Sequence, residues 1–148
     1  MAVERTLAII KPDAVSKNLI GKILAHLEEA GFEVKEMEMQ RLSDAEARRF
    51  YEVHAERPFY GSLVEFMTSG SCVPMVLERE DAIAQLRQTI GATDPAEAKD
   101  GTVRAKWAES VERNAIHASD SPENAAREIE FFFSAGEPSD VGEREVLP

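Results

Sequence analysis

The chain has 148 residues, of which 43% are hydrophobic and 30% are charged, and its formal net charge at pH 7 is −11. A chain of this length can bury its own hydrophobic core, so we expect one domain over residues 1–148. The negative charge argues against binding to nucleic acid or to anionic membranes, because phosphate groups are bound by basic surfaces. Any phosphate-binding site is therefore expected to be local.

The N-terminal segment and the single cysteine bear on location and redox chemistry. No apolar run approaches the roughly 20 residues of a membrane-spanning helix, and residues 1–13 lack the basic and apolar regions of a signal peptide. We therefore expect a cytoplasmic protein without a membrane partner. Cys72 lies beside the apolar residues 73–77, so we expect a buried, unreactive thiol there.

The first two predicted elements are a strand and a helix. Residues 5–11 (RTLAIIK) form a short apolar run followed by a proline, which predicts a buried strand that ends at Lys11. Residues 18–31 place apolar side chains at helical spacing and end at a glycine. This pattern predicts an amphipathic helix with a glycine cap.

The next segment, residues 32–42, is predicted to be a half-exposed strand. Its apolar residues alternate and then change phase, which indicates a bulge near Glu36. Met37 and Met39 follow the phase change, and we expect both methionines to pack in the core.

Two short helices are predicted after this strand. Ser43 and Glu46 have the capping-box spacing and open a helix through residues 44–55. Pro58 separates it from a second helical stretch that ends near Gly70. Together these helices are expected to form a hairpin inserted between strands.

The C-terminal half repeats the order of strand and helix. Residues 72–78 are predicted to be a strand and residues 79–91 a helix, whereas residues 92–113 show only weak periodicity. A loop of that length in a compact domain is more often functional than idle. A fourth strand is predicted over residues 114–119.

A last helix is predicted through residue 133, since Ser121, Pro122 and Glu123 suit a helix N-terminus. The polar tail, residues 134–148, is expected to lie over the surface or a neighbouring subunit. Without the hairpin the order is β-α-β followed by β-α-β, as in ferredoxin-like folds. We therefore predict an α+β fold with one four-stranded antiparallel sheet that carries helices on one face.

His117 stands where the fourth strand leads into the last helix. Backbone N–H groups and the helix dipole favour an anion such as phosphate at that place. Glu128 on the helix is positioned to bind one ring nitrogen, which would leave the other as a nucleophile. The sequence has no P-loop and no protein-kinase signature, so the cations at segment ends, Lys11, Arg87 and Arg104, are the candidates for binding phosphate.

Four stretches of the sequence resemble one known family. They are LAIIKPDAV near the N-terminus, RPFYGSLVEFMTSG in the middle, GATDPAEAKDGTVR after the third main helix and NAIHASDS near the end. In order and spacing they are similar to nucleoside diphosphate kinase over nearly the whole chain. The resemblance implies a magnesium-dependent enzyme that transfers the γ-phosphate of a nucleoside triphosphate to a nucleoside diphosphate by a ping-pong mechanism, through a phosphohistidine.

The resemblance also implies roles for individual residues. His117 would be the nucleophile, Glu128 would orient it, and Ser119 would lie close to it. Base stacking falls on Phe59. Contacts to the phosphates and the ribose fall on Lys11, Tyr51, Arg87, Thr93, Arg104 and Asn114. The Mg²⁺ ion would be carried mainly by the nucleotide phosphates, without a protein metal site, and the chain would form a homo-oligomer of undetermined size.

These roles agree with general chemistry. Phosphoryl transfer depends on positioning and charge neutralisation, which a lysine, two arginines and a metal ion can supply. A stacked aromatic ring contributes about 1 to 3 kcal/mol with any base, so broad base tolerance is expected from Phe59.

The chain also departs from the commonest pattern of the family. Ala118 replaces the usual glycine after the histidine, a modest change unless that residue needs a positive φ. The remaining departures lie in the long loop, at Asp94, Asp100, Ala105, Lys106 and Trp107. They bear on the stability of the loop and on subunit contacts more than on catalysis.

Three alternative functions are weighed against this one. A hydrolase could use Ser119, His117 and Asp120, although a working triad draws its members from separate segments. An RNA-binding module could use the same fold class, but the candidate strands of residues 6–11 and 73–78 carry no aromatic side chain and the net charge is negative. A metal site made by the three histidines, His26, His54 and His117, matches no known ligand spacing.

Overall fold

The computed structural model describes residues 2–133, which contain one four-stranded antiparallel sheet in the order β2-β3-β1-β4. The strands are β1 (Val3–Ile10), β2 (Glu33–Met37), β3 (Val73–Glu80) and β4 (Ile116–Ala118). In the centre, β1 pairs with β3 along its whole length and with β4 near its end. The predicted α+β fold with a ferredoxin-like order of elements is confirmed.

The helices lie in the predicted order, with two additions. They are α1 (Pro12–Ser16), α2 (Ile20–Glu29), α3 (Asp44–Phe50), α4 (Tyr60–Met67), α5 (Ala82–Ile90), α6 (Val103–Trp107) and α7 (Pro122–Phe132), with 3₁₀ turns at Glu52–His54 and Pro95–Glu97. The additions are α1 and α6, which the sequence pattern did not predict. Each of them has five residues.

Side-chain caps set the beginnings of two helices as predicted. Ser43 accepts a hydrogen bond from the backbone N–H of Glu46, whose carboxylate accepts the N–H of Ser43 in return. Ser121 accepts the N–H of Asn124 at the start of α7. These bonds pair N–H groups that have no partner inside the helix.

Helices cover both faces of the sheet, so the prediction of helices on one face is wrong. Leu7 and Ile9 of β1 pack in a core with α3 and α4, whereas Ala8 and Ile10 pack on the opposite face with α2 and α5. The reason lies in β1 itself, where five successive residues are buried. A strand that is apolar on both faces needs a layer on each side.

For the edge strand β2 and the residues after it, one prediction is confirmed and one is wrong. Its register with β3 shifts between Val34 and Glu36, which is the predicted bulge. Met37 and Met39 are 48% and 57% exposed, so they do not pack in the core. Both methionines follow the bulge at the edge of the sheet, where no buried core among the described residues packs against their side chains.

The remaining predictions are settled in part. Cys72 is buried, as expected, and burial raises the pKa of its thiol to about 11. The polar tail, residues 134–148, lies outside the described residues. Within residues 2–133, each helix is too short or too polar to cross a bilayer.

Two connections of this fold bring the candidate residues together. The strand β1 ends at Ile10, and Lys11 follows as the N-cap of α1. His117 of β4 lies opposite Ile9 of β1. The imidazole of His117 is therefore on the face covered by α3, α4 and α7, and the Lys11 backbone leaves the sheet beside it.

Candidate active site

His117, Ser119 and Glu128 form a hydrogen-bonded group where β4 leads into α7. One oxygen of Glu128, Oε1, lies 2.8 Å from Nε2 of His117 and accepts a hydrogen bond of 2.8 Å from the Ser119 hydroxyl. Glu128 and Ser119 are buried, whereas the His117 side chain is 22% exposed. The predicted contact between Glu128 and His117 is therefore present in the structure.

The ionisation of Glu128 decides which nitrogen of His117 is free. Burial by itself raises the pKa of this carboxyl group, but the hydrogen bonds and charge of His117, the Ser119 hydroxyl and the charge of Arg127 outweigh it, so the pKa lies below its usual value. An ionised carboxylate only accepts hydrogen bonds, so Nε2 carries the proton. The lone pair of Nδ1 is therefore available as a nucleophile.

Two aromatic side chains of the α3 region form the wall beside the histidine. The ring of Phe50 lies 5.6 Å from the imidazole of His117 and 4.8 Å from the ring of Tyr51. Tyr51 is buried and its hydroxyl has no hydrogen-bond partner in the described structure. Burial raises the pKa of this phenol, so the hydroxyl keeps its proton and is a donor without an acceptor.

Lys11 is a buried lysine held by the segment that precedes β4. Its Nζ donates to Oδ1 of Asn114 at 2.8 Å, and the amide nitrogen of Asn114 donates to the carbonyl of Thr93 at 3.1 Å. Burial, followed by the charge of Arg104, lowers the pKa of Lys11 to about 8. A buried cation whose hydrogen-bond partners are the neutral amide of Asn114 and the carbonyl of Glu112 is costly unless an anion joins it.

Arg104 extends this cationic region from α6. Its guanidinium donates to three backbone carbonyls, those of Asn114 at 3.3 Å, Gly91 at 3.0 Å and Ile116 at 2.6 Å. Burial, followed by the charge of Arg87, lowers the pKa of Arg104 to about 10. The long loop of residues 92–113 is therefore held against the start of β4 through one arginine.

Arg87 and Phe59 are exposed residues of the predicted set, as is Thr93. Arg87 is exposed on α5 and reaches the carbonyl of Ala118 at 3.5 Å. Phe59 is 45% exposed at the start of α4, and its ring lies 5.5 Å from that of His54. Neither side chain is fixed by close packing, so both remain free to meet a ligand.

A link between α4 and the long loop was not predicted from the sequence. The hydroxyl of Ser62 lies within hydrogen-bond distance of a carboxylate oxygen of Glu112, at 2.9 Å, and of the carbonyl of Phe59, at 3.0 Å. The carbonyl of Glu112 in turn lies 3.4 Å from Nζ of Lys11. This chain of contacts connects the exposed ring of Phe59 to the buried lysine.

A strained turn precedes His117, and Asp13 holds it. Ala115 has a φ of 76°, and the N–H of Ile116 donates to the carbonyl of Asn114 at 2.8 Å. This is a γ-turn of the rare kind with positive φ, which costs an L-residue about 1–3 kcal/mol. The N–H of Ala115 donates to the buried carboxylate of Asp13 at 3.1 Å. Asp13 was not among the predicted site residues, although it lies in the stretch LAIIKPDAV.

Ala118, the residue that follows the histidine, has no need of glycine. Among residues 2–133 the non-glycine residues with positive φ are Asn18, Asp81 and Ala115, so the φ of Ala118 is not in the left-handed region. Its alanine side chain is buried at the end of β4. The replacement of the usual glycine is therefore compatible with the backbone here.

A substitution at Gly91, whose carbonyl accepts a hydrogen bond from Arg104, tests how closely this region is packed. Gly91 has a φ of 93°, and a Cβ at this position would lie 2.6 Å from Oγ1 and 2.8 Å from Cβ of Thr102. We expect Gly91→Ala to lower the free energy of unfolding by about 2–4 kcal/mol, because it adds both backbone strain and overpacking. Denaturant titration measures this change.

The matched control for this prediction is Gly21→Ala in α2. A Cβ at Gly21 would meet no atom within 4 Å, and alanine favours a helix over glycine by up to about 1 kcal/mol. We expect this variant to keep or raise the free energy of unfolding. Equal stability of the two variants would contradict the close contact between Gly91 and Thr102.

The geometry speaks against two of the alternative functions. Ser119 donates to Glu128 and not to His117, while Asp120 is exposed and bonds to Asn124. A serine nucleophile needs its hydroxyl hydrogen-bonded to the histidine base, so these residues are not arranged as a hydrolase triad. In the part of the chain that the structure describes, histidine, cysteine and acidic side chains do not gather in groups of three that would hold a metal ion.

Comparison with known proteins identifies the family. The family model described as nucleoside diphosphate kinase matches residues 4–138. The nucleoside diphosphate kinase of Chlorobium chlorochromatii is 59% identical over 134 residues, which are 90% of this chain and 96% of that protein. That of Halorhodospira halophila is 58% identical over 137 residues, 93% of this chain and 97% of the relative.

Solved structures agree with the sequence comparison. The crystal structure of the Aquifex aeolicus nucleoside diphosphate kinase superposes with a TM-score of 0.89 at 51% identity, and the superposition covers 92% of this chain and 99% of that one. The enzyme from Encephalitozoon cuniculi gives a TM-score of 0.85 at 35% identity over 88% of both chains. The chain belongs to the nucleoside diphosphate kinase family.

Proposed function

We propose that His117 is the residue that carries the phosphate in this enzyme. The γ-phosphate of a nucleoside triphosphate passes first to His117 and then to a nucleoside diphosphate. The observation that carries this proposal is the bond between Nε2 of His117 and the buried Glu128. It fixes the ring and leaves Nδ1 unprotonated. A neutral imidazole is a good nucleophile near pH 7 without a separate base.

In the first step, Nδ1 of His117 forms a bond to the γ-phosphorus while the bond to the bridging oxygen breaks and the nucleoside diphosphate leaves. In the second step, a terminal oxygen of another diphosphate attacks the same phosphorus and the bond to Nδ1 breaks. Glu128 stabilises the positive charge that the ring carries as the N–P bond forms. The two steps are the reverse of each other, so one site serves both nucleotides.

The buried cations are the groups that would bind the phosphates. Lys11 and Arg104 are buried with mainly neutral partners, so an arriving phosphate would provide the missing negative charge. The unpartnered hydroxyl of Tyr51 would donate to a phosphate oxygen. Arg87, Thr93 and Asn114 complete the set proposed to contact phosphate and ribose.

Mg²⁺ is proposed to enter with the nucleotide. The residues proposed to bind the phosphates include three cations, Lys11, Arg87 and Arg104, whose charge would repel a free metal ion, and the described residues offer no carboxylate cluster for one. The donor set therefore fits an ion held by the phosphates themselves. When bound there, Mg²⁺ neutralises charge on the transferred and leaving phosphates.

Phe59 is proposed to stack on the base. Its ring is 45% exposed at the start of α4, which suits a stacking platform better than a core side chain. Stacking depends little on the identity of the base, so the enzyme is expected to accept purine and pyrimidine nucleotides alike.

A homo-oligomer is proposed as the assembly. The edge strand β2 has no neighbour on one side within the described residues, and Met37 and Met39 are exposed beside it. Exposed apolar side chains on an unpaired strand are typical of an interaction surface. Light scattering of the purified chain measures the mass of the assembly.

The proposed carrier is tested by incubation with Mg²⁺ and γ-labelled ATP in the absence of an acceptor. We expect acid-labile, base-stable label that maps to His117, is absent from His117→Ala and is discharged by GDP. His26→Asn is the matched control, since His26 lies on α2 away from this group and should not affect labelling. Label on another residue, or none on a folded protein, would contradict the proposal.

A further inference from the structure

We infer that Asp13 is a positioning residue for the reaction at His117, because its carboxylate holds the strained turn at Ala115 from which β4 begins. This inference rests on the proposed function of His117. Among the described residues, the Asp13 carboxylate accepts a hydrogen bond from the Ala115 backbone and makes none to His117 or to a side chain proposed to meet the nucleotide. It acts through the backbone of Ala115, two residues before the carrier.

The segment that follows β1 forms hydrogen bonds with both the N–H and the carbonyl of Ala115. The N–H of Ala115 donates to Oδ2 of Asp13 at 3.1 Å, and the carbonyl of Ala115 accepts the backbone N–H of Lys11 at 2.9 Å. The N–H of Ile116 closes the turn on the carbonyl of Asn114 at 2.8 Å. All three bonds together keep an alanine at positive φ, a conformation that alanine avoids when nothing opposes its relaxation.

The burial of the Asp13 carboxylate carries an energetic cost. The side chain is only 3% exposed, and its second oxygen, Oδ1, has no hydrogen-bond partner in the described structure. A buried carboxylate with a single backbone bond destabilises a fold compared with a small apolar residue. Such a group is expected to remain where it supports a strained functional conformation.

Besides Asp13, Arg104 also holds the start of the strand that carries His117, through the carbonyls of Asn114 and Ile116. β4 contains three residues and pairs with β1 only at Ala118, His117 and Ile116. A change of φ at Ala115 would rotate the chain as it enters this pairing. His117 would then leave its bond with Glu128, which sets the orientation of the ring and the free lone pair on Nδ1.

A second role of Asp13 has to be separated from this one. Its negative charge also favours the charged form of Lys11, so its removal would affect phosphate binding as well. Asp13→Asn removes the charge and keeps an oxygen that can accept the N–H of Ala115. Asp13→Ala removes both, and Ala115→Gly permits positive φ without any help from Asp13.

The experiment compares Asp13→Asn, Asp13→Ala, Ala115→Gly and the double variant Asp13→Ala/Ala115→Gly. The rate of phosphohistidine formation is measured in a single turnover at saturating ATP, and KM is measured separately. We expect Asp13→Ala to slow the single turnover roughly 10- to 100-fold, as misplacement of a reacting group does. Asp13→Asn should keep most of the rate, and adding Ala115→Gly to Asp13→Ala should recover part of it.

Two results would overturn the inference. One is an equal loss in Asp13→Asn and Asp13→Ala without recovery by Ala115→Gly, which would assign the effect to charge at Lys11. The other is a lower free energy of unfolding in Asp13→Ala with an unchanged single-turnover rate of the folded protein, which would assign Asp13 to stability alone.

A spectroscopic measurement separates this inference from the proposed function. With ¹⁵N-labelled histidine, NMR reports the tautomer of His117 whether or not the residue accepts phosphate. We expect a proton on Nε2 in the wild type and a mixture of tautomers in Asp13→Ala. If the wild type formed no phosphohistidine, the proposed function would fail, and the tautomers alone would decide the role of Asp13. Identical tautomers in both proteins would overturn it.

Discussion

His117→Asn is expected to lower kcat/KM for phosphate transfer by at least about 10⁴-fold, a loss typical of removing a nucleophile. Both half-reactions pass through Nδ1 of His117, so the loss should be equal for donor and acceptor nucleotides. The Ser119 hydroxyl still donates to Glu128 in this variant, so the fold should be preserved. Steady-state kinetics with varied donor and acceptor measure the loss.

Nucleotide binding provides the internal control for this variant. Lys11 and Arg104 are held by contacts that do not include the imidazole of His117. Calorimetry should therefore find that His117→Asn still binds ADP with an affinity close to that of the wild type. His26→Asn should retain both binding and transfer. Substantial transfer by His117→Asn would show that another residue carries the phosphate.

The sequence predicted those features of the fold that depend on local pattern. Ser43 and Ser121 were identified as caps because a cap bonds to an N–H only three residues away. The contact between His117 and Glu128 was also within reach, since a short turn joins β4 to α7 and places the first turns of the helix beside the strand. Features of this kind need no knowledge of distant segments.

The remaining features depend on contacts between segments far apart in the chain. Asp13 and Ala115 are 102 positions apart, and neither residue type by itself indicates a strained turn. Alanine carries no signal for positive φ, which glycine or asparagine would have given. The exposure of Met37 was missed for a related reason, because an apolar residue at an edge strand gives the same pattern as one in the core.

Lys11→Met is expected to lower kcat/KM by about 10²–10³-fold, because it removes a buried cation that faces the developing charge of the phosphates. Lys22→Met is the matched control, since Lys22 is exposed on α2. The wild type should also lose kcat/KM as the pH rises through about 8, the pKa to which burial lowers Lys11 in the free enzyme. This decrease should be absent from Lys11→Met.

Deprotonation of Lys11 should lower kcat/KM but raise the free energy of unfolding. The pKa of Lys11 is lowered from 10.5 to about 8 in the folded protein. Between these values the unfolded chain binds more protons than the folded one, so deprotonation of Lys11 favours folding. The unfavourable contribution of the buried charge is complete below pH 8 and is relieved as the pH rises from 8 towards 10.5.

The difference in the free energy of unfolding between the wild type and Lys11→Met isolates this effect, because all other titrating groups are shared. The difference should change in favour of the wild type from pH 8 to pH 10, by at most about 1.4 kcal/mol per pH unit. The lost bond to Asn114 adds an offset that does not vary with pH in this range. A constant difference would mean that Lys11 keeps its ordinary pKa, and the decrease in kcat/KM near pH 8 would then need another group.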